Sequence, residues 1–186
     1  MDFWCPKGHL NKDQAEFMKQ LVEEVNPKYA LETGFCTGRS TSVVLTNAKE
    51  LEKMISIDIN FNYNKKYGNK YRKLFENHLK CYKTIENSSL KVLNDEFFEK
   101  EYPEGVDWFM VDGDHSYKGC MWDLERAYKF MNKNGVILVD DYKSGPPNGY
   151  PLPQVTKACD DFSKKHKDIK KEEWNKLGKG FCIFRF

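Results

Sequence analysis

The chain has 186 residues, of which 40% are hydrophobic, 31% charged and 15% aromatic. That is the balance of one globular domain with a sizeable core. A formal net charge of +2 does not mark the whole molecule as a nucleic-acid or membrane binder, and the local lysine excess of "SKKHKDIKKEEWNK", mixed with Asp and Glu, reads as a solvated helix face. The six cysteines (Cys5, Cys36, Cys81, Cys120, Cys159, Cys182) form no CxxC pair and no Cys/His cluster. This argues against a zinc ribbon or disulfide framework and for reduced thiols in a cytoplasmic setting. The N-terminus has no apolar signal-like stretch, and no segment approaches membrane-spanning length.

Asn11 is placed to cap a helix running to Val25, with Leu10, Phe17, Leu21 and Val25 on one face and Pro27 ending it. This N-terminal helical segment, residues 1–28, is expected to pack on the core. "KYALETG" reads as a short buried strand, "RSTSVVLTNAKEL" as the helix after a glycine turn, and "KMISIDIN" as a second strand ending on an acid. "NKYRKLFENHL" reads as helix, "CYKTIEN" as strand and "SLKVLNDEFFEK" as one helix. "VDWFMVDGDH" is an apolar strand broken by an acidic turn, followed by the amphipathic "YKGCMWDLERAYKFM" and by the strand "NKNGVILVDDY". After the Pro/Gly-rich loop "SGPPNGYPLP" come the helix "QVTKACDDFSKKH" and two strands in "EEWNKLGKGFCIFRF". No repeat or linker divides the chain, so a single domain over residues 1–186 is expected. Strands alternating with helices predict an α/β fold: a mostly parallel sheet with helices on both faces and an antiparallel C-terminal hairpin.

In open sheets of this kind ligands bind beyond the carboxyl ends of the strands. The unusual residues gather there. The first strand ends in Glu32 and Gly34, the second in Asp58, the fourth in Asp112 and the fifth in Asp140 and Asp141. One such acid is ordinarily a helix cap, but acids at four strand ends repel one another unless a cation or ligand offsets them. Asp58 lies about 20 residues past the glycine turn, where a carboxylate accepts from ribose hydroxyls. The turn "ETGFCTGRS" has G-x-x-x-G spacing, and Glu32 would repel a pyrophosphate. An amino-acid-bearing nucleoside fits better, its cationic group beside Glu32 and its carboxylate at Ser40 and the helix N-terminus.

"LETGFCTGRST", "ISIDIN", "VDWFMVDGDHSY" and "NGVILVDDY", in this order and spacing, resemble a class I S-adenosylmethionine-dependent methyltransferase. The resemblance implies a Rossmann-like three-layer αβα sandwich with a seven-stranded sheet. It implies that Glu32, Gly34, Gly38 and Ser40 line the methionine part of S-adenosylmethionine, Asp58 the ribose, and Ser88 and Ser89 the adenine. Many relatives carry Gly-Asp or Gly-Ala before that second serine, where this chain has Asn87-Ser88.

Asp112, Asp140 and Asp141 offer only hard oxygen ligands, which suit Mg²⁺, or Mn²⁺ or Ca²⁺, better than Zn²⁺. Such an ion lowers the pKa of an acceptor hydroxyl and orients its oxygen. His115, three residues after Asp112, is the candidate general base. Catechol- and caffeoyl-CoA-type O-methyltransferases carry Lys there, and Asp-Asn in place of Asp140-Asp141. The D-x-x-H turn with paired acids is closer to the macrocin-like branch. His9, His78 and His166 read as surface residues. The expected activity is O-methylation of a small hydroxylated molecule, with Tyr142, Lys143 and "SGPPNGYPLP" bordering its pocket. A catalytically idle S-adenosylmethionine-binding module and an RNA 2′-O-methyltransferase stay open as alternatives. The lack of an N-P-P-Y turn and of a basic domain disfavours nucleic acid, and the glycine spacing opposes a dinucleotide-dependent reductase. A chain this short is compatible with an open site, a large acceptor, or a lid borrowed from a second subunit in a homo-oligomer.

Overall fold

The computed structural model describes residue 5, residues 8–62 and residues 67–186. Residues 1–4, 6 and 7 of the expected N-terminal segment lie outside the described residues. Helix α1 (Lys12–Val25) begins where its sequence sets it. The Asn11 side chain accepts the Gln14 amide at 2.8 Å, and the Gln14 side chain accepts the Asn11 amide at 3.1 Å, a complete capping box.

Strands β1 (Tyr29–Thr33), β2 (Lys53–Asp58), β3 (Tyr82–Glu86), β4 (Val106–Val111) and β5 (Met131–Val139) then alternate with helices. These are α2 (Arg39–Asn47), α3 (Gly68–His78), α4 (Ser89–Val92), α5 (Asp95–Glu101) and α6 (Tyr117–Phe130). After α7 (Pro153–Lys165), strands β6 (Lys170–Lys176) and β7 (Lys179–Arg185) close the chain. The sheet order is β3-β2-β1-β4-β5-β7-β6. The first five strands are parallel, and β7 runs antiparallel to both β5 and β6. This is the architecture expected from the sequence, with the C-terminal hairpin as the antiparallel edge.

The central strands are mostly apolar because both faces are covered. Leu31, Phe109 and Ile137 are in register and pack beneath α4 to α7, while Ala30, Trp108 and Val136 point the other way, towards α1 to α3. Alternation along the strands thus splits the core into two layers.

Two expectations are corrected. "SLKVLNDEFFEK" is two helices, α4 and α5. The Asn94 side chain accepts the Phe97 amide at 2.8 Å, and Asp95 and Glu96 fill the first turn of α5, so the segment holds a helix start of its own. Helix α2 stops at Asn47, whose side-chain amide donates to the Val43 carbonyl at 2.7 Å, with Ala48 already extended. Among the described residues no helix is long and apolar enough to cross a membrane.

Strand order reverses between β1 and β4, and the glycine turn opens over that gap. The Asp112 amide donates to the Thr33 carbonyl at 2.9 Å, and the Gly34 amide to the Ile57 carbonyl at 2.9 Å. Gly34 has φ +86°, and a Cβ placed on it would stand 1.9 Å from the Asp112 carbonyl oxygen. Only glycine lets β1 turn away this close to β4. The variant Gly34→Ala should lose about 3 kcal/mol or more in denaturant unfolding, from left-handed strain and the clash together. A loss under about 1 kcal/mol would contradict this geometry.

Candidate active site

Glu32 is fully buried. Its Oε1 accepts from the Ser40 hydroxyl, and its Oε2 from Thr41 and from Ser56, the latter at 2.8 Å. Burial pushes its carboxyl up to about 7, against the downward pull of these hydroxyls. Glu32 and Ser40 therefore bond to each other beneath the turn, and Glu32 presents no surface to a ligand in this conformation.

The next residue, Thr33, points to the opposite layer and donates to Asp123 Oδ2 on α6 at 2.8 Å. Asp123 is also fully buried, and burial raises its carboxyl to about 7. Asp58 fixes the turn from the side. Its Oδ2 accepts the amides of Phe35 at 2.7 Å and Cys36 at 3.2 Å, and its Oδ1 accepts that of Asn60 at 2.9 Å. Gly38, at φ +81°, leads into α2. Ser88 and Ser89 stand at the start of α4, with Ser89 buried and its hydroxyl facing Asp123.

Beside the turn, the ends of β4 and β5 bring Asp112, His115 and Asp141 together, with ligand-type atoms all within 4.8 Å of one another. His115 Nε2 lies 3.2 Å from Asp112 Oδ1 and 3.7 Å from Asp141 Oδ2. The Asp112 hydrogen bond raises the imidazole to about 9, reinforced by the charges of Asp112, Asp141 and Asp140. Burial lifts the Asp112 carboxyl, and His115 opposes that lift. Asp141 adopts φ +60° at the end of β5, a region Asp tolerates better than most residues. Two carboxylates and an imidazole thus form one group whose atoms are close enough to hold a cation.

Asp140 sits beside the group, engaged elsewhere. It is buried, and its Oδ1 accepts from the Gln14 side chain at 2.8 Å and from the Asp141 amide at 2.8 Å. Burial and the neighbouring Asp112 and Asp141 charges push its carboxyl well up. Helix α1 thus reaches into the site through a residue whose other end completes the capping box.

Lys179, 14% exposed at the start of β7, places its ammonium 4.0 Å from Asp141 Oδ1. The hairpin tip is fastened to the loop after β5, with the Gly145 amide on the Gly178 carbonyl at 2.9 Å and the Asn148 amide on the Leu177 carbonyl at 3.1 Å. An open cavity of about 550 Å³ lies along the same loop, lined by Lys143, Ser144, Leu152 and Lys157 among others. His9 and His78 are exposed as expected. His166 is not a surface residue, for its ring lies 3.9 Å from that of Tyr128 and its Nε2 3.1 Å from Glu125.

Gln14, Thr33, Thr41, Ser56, Asp123 and Lys179 were not anticipated from sequence. Asp123 did leave a signal, as the one acid on the buried stripe Cys120, Asp123, Leu124 and Ala127 of α6. Lys179 left none, because its position follows from how a distant hairpin folds back.

A doubly wound αβα sandwich with a glycine turn at its switch point, and with acids at the adjoining strand ends, defines a Rossmann-like protein of the methyltransferase class. The sequence model of the methyltransferase-domain family matches residues 31–142, and the chain belongs to that family. Over 60 residues it is 37% identical to the uncharacterized protein R132 of Acanthamoeba polyphaga mimivirus, a match covering 32% of this chain and 27% of the viral protein. Among solved structures it resembles the O-methyltransferase of Bacillus cereus in complex with SAH. The TM-score is 0.74 and the identity 18%, over 96% of this chain and 83% of the other. It also resembles the O-methyltransferase TomG of Streptomyces achromogenes, involved in tomaymycin synthesis and solved with SAM. There the TM-score is 0.73 and the identity 13%, over 94% of this chain and 80% of the other. At these identities the likeness is one of fold.

Because its carboxyl rises from 4.5 to about 7, folded Glu32 holds its proton more tightly than the unfolded chain does. That contribution is complete below the unfolded value and is lost as pH rises through about 7, a swing of about 3 kcal/mol. Urea unfolding at a series of pH values should show wild type losing up to this amount relative to Glu32→Gln between about pH 4.5 and 8. A difference independent of pH would contradict it.

Proposed function

We propose that this chain transfers the methyl group of S-adenosylmethionine to a hydroxyl of a small molecule in the cytoplasm. The observation that carries the reading is the convergence, at one sheet edge, of the family's glycine turn with Asp112, His115 and Asp141. The SAH and SAM held by the neighbours of known structure support the choice of cofactor. Six free cysteines agree with a reducing compartment, and the acidic site does not favour a nucleic-acid acceptor.

In this reading the backbone of Gly34 to Gly38 holds the methionine part. Glu32 and Ser40 act from below, keeping the turn in shape by their mutual bond. Asp58, whose carboxylate already gathers the turn's amides, faces the ribose, and Ser88 and Ser89 stand at the adenine end. Asp112 and Asp141 would hold a divalent cation, Mg²⁺ or Mn²⁺, by their carboxylate oxygens. Bound there, the ion would lower the pKa of the acceptor hydroxyl. Asp140, held by Gln14, orients the turn that carries Asp141.

His115, 41% exposed at the open rim between the two carboxylates, takes the acceptor's proton. Its own proton must first leave, since Asp112 holds the imidazole at about 9. The loop lining the open cavity, with Lys143, borders the acceptor.

Calorimetry should show SAH binding to the wild type and NAD(H) not binding. If NAD(H) binds better, or neither binds, the cofactor assignment falls. The variant His115→Ala should bind SAH normally and lose about 10²–10⁴-fold in turnover on an accepted hydroxylated substrate, and normal turnover would remove His115 from the chemistry. Titration of the apoprotein with Mn²⁺ should show tight uptake that Asp141→Ala weakens at least about 10-fold. Equal uptake by both proteins would dispose of the cation site.

A further inference from the structure

We propose that Asp123 is a positioning residue that ties the glycine turn to the adenine-side serines and so sets the affinity for the cofactor. The proposal rests on the S-adenosylmethionine reading given above. Asp123 occupies the core face of α6 between Cys120, Leu124 and Ala127 and is fully buried. A carboxylate there is costly unless its oxygens are bonded.

One oxygen is bonded: Oδ2 accepts from Thr33, the residue directly before Gly34, at 2.8 Å. The Ser89 hydroxyl faces the same carboxyl and lowers its pKa, yet Oδ1 is buried without a well-formed hydrogen bond. The carboxyl therefore stands between two elements of the proposed cofactor site, firmly joined to one and loosely to the other. A ligand that settles Ser88 and Ser89 against its adenine brings the Ser89 hydroxyl onto Oδ1 and completes the tie. In return, the tie favours the bound arrangement.

The direction with pH follows from the hydrogen-bond count. An ionised Asp123 accepts from Thr33 and Ser89 together, whereas a protonated one spends an oxygen on its own proton and holds one hydroxyl less well. Its carboxyl is raised to about 7 by burial, and the charged group that faces it, Asp114 on the loop before α6, adds to the rise. From β1 and α4 it meets only the hydroxyls of Thr33 and Ser89. The coupling is full above this value and fades below it.

SAH affinity is to be measured by calorimetry at pH 6 and pH 8 for wild type, Asp123→Asn, Thr33→Val and the double variant, with thermal unfolding alongside. At pH 8 each single variant should bind SAH about tenfold more weakly than wild type, and the double variant no worse than either. At pH 6 the ratio of Asp123→Asn to wild type should shrink to about twofold or less. Other titrating groups, Glu32 among them, are common to both proteins and cancel in the ratio. If Asp123→Asn does not fold, Thr33→Val removes the donor of the same bond without touching the carboxyl and carries the comparison alone. Unchanged affinity with a lowered melting temperature, or a ratio equal at both pH values, would make Asp123 a packing residue only and overturn the proposal. Wild type failing to bind SAH at all would instead defeat the cofactor reading beneath it.

Discussion

Two consecutive residues at the end of β1 hold the molecule's working edge in place. Glu32 faces α2 and Thr33 faces α6, as strand alternation requires, and each enters a buried bond between a carboxylate and hydroxyls. On one side the strand gives the acid and its surroundings the hydroxyls; on the other the strand gives the hydroxyl and the helix the acid. Both carboxyls sit near 7 because burial outweighs the hydrogen bonds. The strand end is therefore gripped from both layers, where a purely apolar residue would be free to slide. Asp58 adds the third grip by collecting the amides of Phe35 and Cys36. The turn over the switch point is fixed by these groups before any ligand arrives, an order that lowers the cost of holding one.

The acids at the ends of β4 and β5 obey a different logic. Three carboxylates drawn to one edge repel, and the chain answers with His115 beside Asp112 and with Lys179 near Asp141. Asp140 is instead buried against an amide side chain from α1 and held in a state that favours its proton. The same sequence pair, Asp140-Asp141, thus yields one structural and one accessible carboxylate. Consecutive residues at a strand end face different ways, and the left-handed backbone of Asp141 turns its carboxylate back towards Asp112 and His115.

The fold was legible in the sequence because its signals are local. Apolar strands bounded by glycines, Asn11 ahead of its helix, and the β-α alternation each follow from short-range periodicity and capping. The break between α4 and α5 was missed: Asn94 followed by Asp95 and Glu96 is a start signal, but the apolar residues on either side masked it. At the site, strand-end placement gathered Asp112, Asp140 and Asp141, and the short turn after Asp112 added His115, but neither tells that Asp140 is held by Gln14 and stands apart from the group. The role of Glu32 was not legible either: strand-end position put it at the ligand's edge, while its real partners, Thr41 and Ser56, come from separate elements. Gln14, Asp123 and Lys179 reach the site across the fold, and no pattern along the chain encodes that reach.

Strand β6 has a consequence of another kind. It is one of the two outer strands of the sheet, and its charged run of Lys170, Lys171, Glu172, Glu173 and Lys176 is engaged with charges on its own chain, Lys176 with Asp13 and Lys171 with Asp160. A neighbouring strand laid along it would have to strip water from these charges and break those pairs, which is how natural sheets refuse extension. On this side the sheet ends at β6 by its own chemistry. Self-association by pairing along β6 is thereby opposed by the protein's own charges.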